Sequence, residues 1–233
     1  MALPIIVAPE YTTNLPSNGL EVKYRPFLVK EEKLLLFAAE SGEKNDMINS
    51  VCQMMSNCVI SPELDPYTLP YFDFEYLFLH IRSKSVGETA EFQVKHDKED
   101  CEHMNTVTVR LDEIINKRDE AHSDKIDLTE EISVKMKYPT INSVKGMLDI
   151  TASNVLDIFA NSIEYAYDKE TVYDEFSKPD AVEFLESLSK EQFDKITNFF
   201  NTMPVSRLEV KYKCEKCEED VETLISGFED FFT

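Results

Sequence analysis

A chain of 233 residues, 42% hydrophobic and 11% aromatic, can bury a sizeable core, which excludes global disorder and fits one large domain or two small ones. Its 45 acidic against 24 basic side chains give a formal charge of −21, which disfavours nucleic acid and anionic membrane surfaces as partners and would suit a basic protein. Five cysteines, an odd number, oppose a secreted disulfide framework; with no basic leader at Met1–Ala8 and no apolar run near membrane-spanning length, a soluble intracellular protein is expected.

In chain order, Tyr11 to Pro26 predicts a hairpin, with Pro16-Ser-Asn-Gly19 as the turn and Leu20-Glu-Val-Lys-Tyr24 as the returning strand. Val29–Ser41 predicts a helix with Leu34, Leu35, Ala38 and Ala39 on its apolar stripe and Gly42 at its end. A second helix, Lys44–Val59, uses Met47, Ile48, Val51, Met54 and Met55, and places Cys52 and Cys58 as buried core thiols. Pro62, Pro66 and Pro70 punctuate the following loop. Asp73–Lys84 is apolar almost all round, which marks a central buried helix with His80 as a satisfied core histidine. Residues 88–138 change to short alternating strands at 89–95, 106–111 and 125–137, with His122 read as a solvated loop residue.

Helices resume at Ile141–Asp149 and Ala152–Tyr167, followed by a loop over 168–178. Ser177-Lys-Pro-Asp180 and Ser189-Lys-Glu-Gln192 are capping-box patterns, opening helices over 180–188 and 190–202. Pro204 stops the second, and strands follow at Arg207–Lys213 and Asp220–Leu224. At the end of the chain Phe228, Phe231 and Phe232 stand at helical spacing beside acidic residues, as a short helix over those strands or as a partner-docking patch.

Between the last two strands lies Cys214-Glu-Lys-Cys217. A Cys-x-x-Cys turn sets two thiolates at the bite of a tetrahedral Zn²⁺, and strand, knuckle, strand is half of a zinc ribbon. The second half has one candidate region, Val94 to His103, also bracketed by strands. Cys101 is its cysteine, and His96 and His103 compete for the fourth place. His96 is preferred, because it lies five positions before Cys101, a loop length that can fold back into a knuckle, whereas His103 is only two away. The ion would be structural Zn²⁺, so Cys214→Ser should unfold the ribbon and release the 141–202 helices while residues 29–84 stay folded.

A redox role for the pair is disfavoured: Glu218-Glu-Asp220 follows it and would raise a thiolate's pKa. Five glycines leave no phosphate-cradling loop, and neither Gly-x-Ser-x-Gly nor His-Glu-x-x-His occurs, so no enzyme is expected. The expected fold is α+β: a hairpin and helical region over 1–87, ribbon-like β module halves at 88–140 and 206–233, and a helical insertion at 141–205.

Three stretches, residues 23–41 (KYRPFLVKEEKLLLFAAES), 72–88 (FDFEYLFLHIRSKSVGE) and 136–139 (MKYP), together with the Cys-x-x-Cys and its Phe-rich end, resemble the baseplate hub assembly proteins of T-even-type tailed bacteriophages. The resemblance runs from about residue 20 to the end. It implies a non-enzymatic viral protein that helps build the central hub of the contractile-tail baseplate, with other hub proteins as partners; a homo-oligomer also fits. Acting as a chaperone-like factor it would work in the host cytoplasm, and as a permanent subunit it would stay in the virion baseplate. The family commonly carries two cysteine pairs; Cys101, Cys214 and Cys217 fall where three of these cysteines would, and His96 stands in place of the fourth.

Overall fold

The computed structural model describes residues 6–98, 101–111, 115–117, 119–144 and 154–225. The chain divides into two units, one of residues 1–66, 72–117 and 205–233, the other of residues 67–71 and 118–204.

In the first unit β1 (Tyr11–Asn14) and β2 (Glu21–Tyr24) form the expected hairpin, with Tyr11 opposite Tyr24. Gly19 takes φ 72° in the turn, a conformation that costs a residue without a Cβ little. Helices α1 (Val29–Ser41) and α2 (Lys44–Cys58) follow, α1 ending on the left-handed Gly42. The chain then extends into β3 (Val59–Ser61), which adds to β2; this third strand was not anticipated from the sequence. Helix α3 (Tyr71–Ser85) buries Phe72, Phe74, Leu77, Phe78, Leu79 and Ile81, as its apolar circumference requires. Its buried Asp73 accepts hydrogen bonds from the Ser17 backbone N–H and hydroxyl, tying the first hairpin's turn to the helix.

Strands β4 (Thr89–Lys95) and β5 (Met104–Arg110) make a second hairpin in register from Thr89 opposite Arg110 to Lys95 opposite Met104. Alternation sends Asn105, Val107 and Val109 inward. A short β6 (Ile115–Lys117) ends this part of the unit.

The second unit corrects several expectations. Residues 125–137 are not one strand but a hairpin, β7 (Lys125–Asp127) and β8 (Ser133–Met136), closed by Leu128 and Thr129 N–H groups both donating to the Ile132 carbonyl at 3.0 Å. After α4 (Ile141–Val144) and α5 (Val155–Asn161), the helix expected to reach Tyr167 stops, and residues Ile163–Tyr167 form β9. The remainder of the helix expected over 141–149 lies outside the described residues. Within the loop expected over 168–178 lies β10 (Val172–Tyr173), and the sheet runs β10-β9-β8-β7. Ile163-Glu-Tyr-Ala-Tyr167 suits a strand because Ile163, Tyr165 and Tyr167, branched and aromatic, alternate with Glu164 and Ala166, and β8 and β10 offer it partners on both sides. Helices α6 (Lys178–Ser187) and α7 (Lys190–Thr202) carry the two capping boxes and cover the sheet, with Ile126, Val134, Met136, Phe159, Leu185 and Phe199 among the core.

His122, expected in solvent, is instead buried: Nδ1 lies 2.9 Å from Thr202 Oγ1, Nε2 lies 3.1 Å from Tyr138 Oη, and its ring packs against Phe199. Burying it satisfies both ring nitrogens.

The chain then re-enters the first unit as β11 (Val205–Lys213), which pairs with β12 (Asp220–Ile225) and with β6, giving the order β12-β11-β6. Ser206 Oγ donates to the Phe72 carbonyl, joining β11 to the start of α3. The fold is mixed α/β with open sheets, and the segment between β6 and β11 is not all helical as expected: it starts near residue 118 and carries a four-stranded sheet. Among the described residues no helix is long and apolar enough to cross a membrane.

Candidate metal centre

Two hairpin mouths build the site. At the end of β4, the His96 N–H donates to the His103 carbonyl at 2.8 Å, while Lys98 N–H donates to the His96 carbonyl and Cys101 N–H to the Lys98 carbonyl. These bonds fold the loop back so that His96 and Cys101 share one side of it. At the end of β11, Glu218 N–H donates to the Cys214 carbonyl and Cys214 N–H to the Glu219 carbonyl, closing a tight turn around Cys214 and Cys217. Each turn places a glutamate in the left-handed region directly after its second ligand residue, Glu102 after Cys101 at φ 41° and Glu218 after Cys217 at φ 59°. Neither is glycine, so both turns hold a sparsely populated conformation that the surrounding bonds must maintain.

Between the two mouths, the ligand atoms of His96, Cys101, Cys214 and Cys217 all lie within 4.8 Å of one another. Cys101 Sγ is 3.6 Å from Cys214 Sγ, and Cys217 Sγ is 3.4 Å from His96 Nδ1. A disulfide needs about 2.05 Å; the edges of a tetrahedron with Zn–S bonds of about 2.3 Å span about 3.7 Å. The donor set and spacing therefore fit a tetrahedral cation and not an oxidised pair. Cys101 and Cys214 are buried and Cys217 is exposed, so the group opens to solvent on one side.

Supporting contacts hold these ligands in place. The Asn105 Oδ1 accepts from Glu215 N–H at 2.8 Å, and the Lys216 ammonium donates to the Cys101 carbonyl at 2.8 Å, so each turn is bonded to the other. The Glu219 carboxylate, paired with Lys98, lies 4.0 Å from both His96 Nε2 and Cys217 Sγ.

The acidic run at 218–220 does not raise the Cys214 thiol as expected: burial opposes its ionisation, yet the Cys217 and Lys216 backbone N–H groups, with His96 and Cys101, outweigh burial and bring its pKa down to about 5. Cys101 moves the other way, held above the ordinary thiol range by burial and by its bonds to Cys214 and Cys217. A divalent cation held there would take both sulfurs as thiolates.

His103 is not part of the group: its Nε2 lies 3.7 Å from the Glu215 carboxylate. Cys52 and Cys58 are wholly buried within α2, where burial pushes the Cys58 thiol up to about 12. His80 packs its ring on Tyr76 at 4.3 Å between centroids. Phe228, Phe231 and Phe232 lie outside the described residues. The sequence reading did not single out Asn105 or Glu219. Glu219 was read only as part of a negative cluster; its position two residues past Cys217 was the signal available.

The family described as T4 bacteriophage base plate protein matches residues 8–233. The chain belongs to that family. No curated protein and no solved structure matches this baseplate protein.

Proposed function

We propose that this baseplate protein is a non-enzymatic, chaperone-like assembly factor that binds hub subunits during contractile-tail morphogenesis in the host cytoplasm. The observation that carries the reading is the family match over residues 8–233, which covers both units of the chain. The surplus of acid over base supports transient docking on basic subunits, since long-range attraction speeds association without requiring a tight complex. The Cys214–Cys217 pair supports a passive role, because it sits in a turn between strands rather than at a helix N-terminus, where dithiol enzymes place their nucleophile.

In this reading His96, Cys101, Cys214 and Cys217 would hold a structural Zn²⁺, completing a ribbon-like module from the β4–β5 and β11–β12 hairpins. A bound ion would supply folding free energy by fastening segments 113 residues apart. Metal analysis of protein purified without chelator should find about one zinc per chain; a content far below that overturns the ion. Size-exclusion of co-expressed hub proteins tests the assembly role, and hub complexes that form equally well without this chain overturn it. Peptides of this chain in purified particles at subunit stoichiometry would identify it as a permanent component instead.

A further inference from the structure

In the second unit an apolar cavity of about 330 Å³ opens between α6 and the β10 end of the sheet, lined by Ile132, Ile163, Ala166, Tyr173, Phe176 and Phe184. Its wall continues outward as exposed apolar surface: Val172 is 58% exposed, Tyr173 53% and Ile132 42%. Apolar side chains left in water around a preformed cavity mark a recognition surface. The volume is at the small end for ligand sites and the cavity is open on one side, which suits one large side chain of a protein partner better than an engulfed small molecule.

Charge specifies what that partner carries. Residues 163–186, which supply most of the wall, hold eight carboxylates against Lys169 and Lys178. Lys178 is already engaged by Asp157 at 3.1 Å. Asp168 and Asp180 line the cavity itself; their carboxylates accept bonds from Glu170, Thr171 and Tyr173, and from Ser177, respectively, so both are fixed in place as negative charge. Glu170, Asp174, Glu175 and Glu183 are exposed around them. Such a rim repels the chain's own Phe228-Glu-Asp-Phe-Phe232 segment and, at this net charge, a second copy. In addition, among the described residues β10 is the last strand of its sheet, so its outer edge offers main-chain groups to an extended segment.

We propose that this groove docks a cationic segment of a partner protein, with a Leu or Phe anchor in the cavity and flanking Lys or Arg on the carboxylate rim. The inference rests on reading the chain as a partner-binding assembly protein, and it names the chemistry of the segment bound.

A fluorescein-labelled synthetic peptide with Leu-Phe between two Lys-Arg pairs, titrated with the full-length chain, tests it directly. The peptide should bind, and more weakly as added salt shortens the screening length. Phe176→Ala, which removes one exposed wall, should weaken binding at least about tenfold, and Glu175→Lys, which breaks no hydrogen bond shown for that residue, should weaken it several-fold. An equal titration by the same peptide with its basic residues changed to Asp and Glu, or by a peptide of residues 226–233, overturns the proposal, as does no binding at all. Self-association of the chain abolished by Phe176→Ala would make the occupant a second copy and also overturn it. If the peptide fails while hub complexes still require the chain, the groove is wrong and the assembly role stands; if it binds while those complexes form without the chain, the reverse holds.

Discussion

Glu31 has a wholly buried side chain and carries charge nonetheless, because its carboxylate meets Arg25 at 2.9 Å, Lys30 at 3.2 Å and the Leu28 N–H at 2.8 Å. Burial pushes its pKa up, but the Arg25 bond, the Leu28 N–H and Lys30 together pull it further down, to a net value below the ordinary glutamate range. A folded-state pKa below the unfolded one means stability that is present above the ordinary range and is lost as the pH falls through the depressed value. Glu31→Ala takes the carboxylate from Arg25, whose guanidinium keeps the Pro26 and Asn57 carbonyls, and from the Leu28 N–H at the start of α1, and should cost about 3 kcal/mol in urea unfolding at neutral pH. In Glu31→Gln the acid limb of the stability profile should flatten, as no carboxylate remains there to protonate; a limb as steep as in the unsubstituted chain would assign the acid sensitivity elsewhere. The α2 thiols make a second case of environment setting reactivity. With Cys52 and Cys58 enclosed and the Cys58 pKa pushed up to about 12, iodoacetamide at neutral pH should leave both unmodified in the native chain and label both in denaturant. Labelling before unfolding would show that α2 opens locally.

Among the elements, the ones read correctly from sequence were those whose causes are local. Ser177 and Ser189 accept bonds from the backbone N–H three residues on, and Asp180 and Gln192 return the bond, so four residues suffice to announce α6 and α7. Ser189→Ala should therefore cost about 1 kcal/mol, with loss concentrated in the second unit; amide exchange in the first turn of α7 would detect it, and unchanged exchange there would deny the cap its role. Residues 155–167 show why other elements were misread. Ile163, Ala166 and Tyr167 continue the helical spacing of α5, and the strand is chosen instead by β8 and β10, which are distant or too short to recognise. His122 was misjudged for the same kind of reason: Tyr138, Phe199 and Thr202 enclose it, and nothing beside it in the chain foretells them. The Cys/His group is non-local too, yet it was legible, because few residue types can hold zinc and each pair is written within a short turn. Loop length favours His96 over His103, and the structure sets His96, not His103, beside the three sulfurs.

At the scale of the molecule, the route of the chain decides which part depends on the cluster. The sequence alone placed residues 29–84 apart from the metal module and the 141–202 helices in its keeping. The structure assigns α1, α2 and α3 to the same unit as all four cluster residues, while the other unit closes its own core from Ile126 to Phe199. A tetrahedral ion bound with an apparent 10–16 kcal/mol, as in small zinc peptides, matches the whole stability of a domain, about 5–15 kcal/mol. Cys214→Ser removes a buried sulfur that sits 3.6 Å from that of Cys101, so it should lower the melting of the first unit and carry α1–α3 with the hairpins. The second unit should then melt as a separate transition near its original temperature, because its strands β7 to β10 and helices α5 to α7 owe no core residue to the cluster. Calorimetry of the variant, and of the parent chain with excess chelator, should show the same split. A trace left unchanged by both treatments would remove the ion from the account of stability, and one in which both units fall together would mean that they do not melt independently.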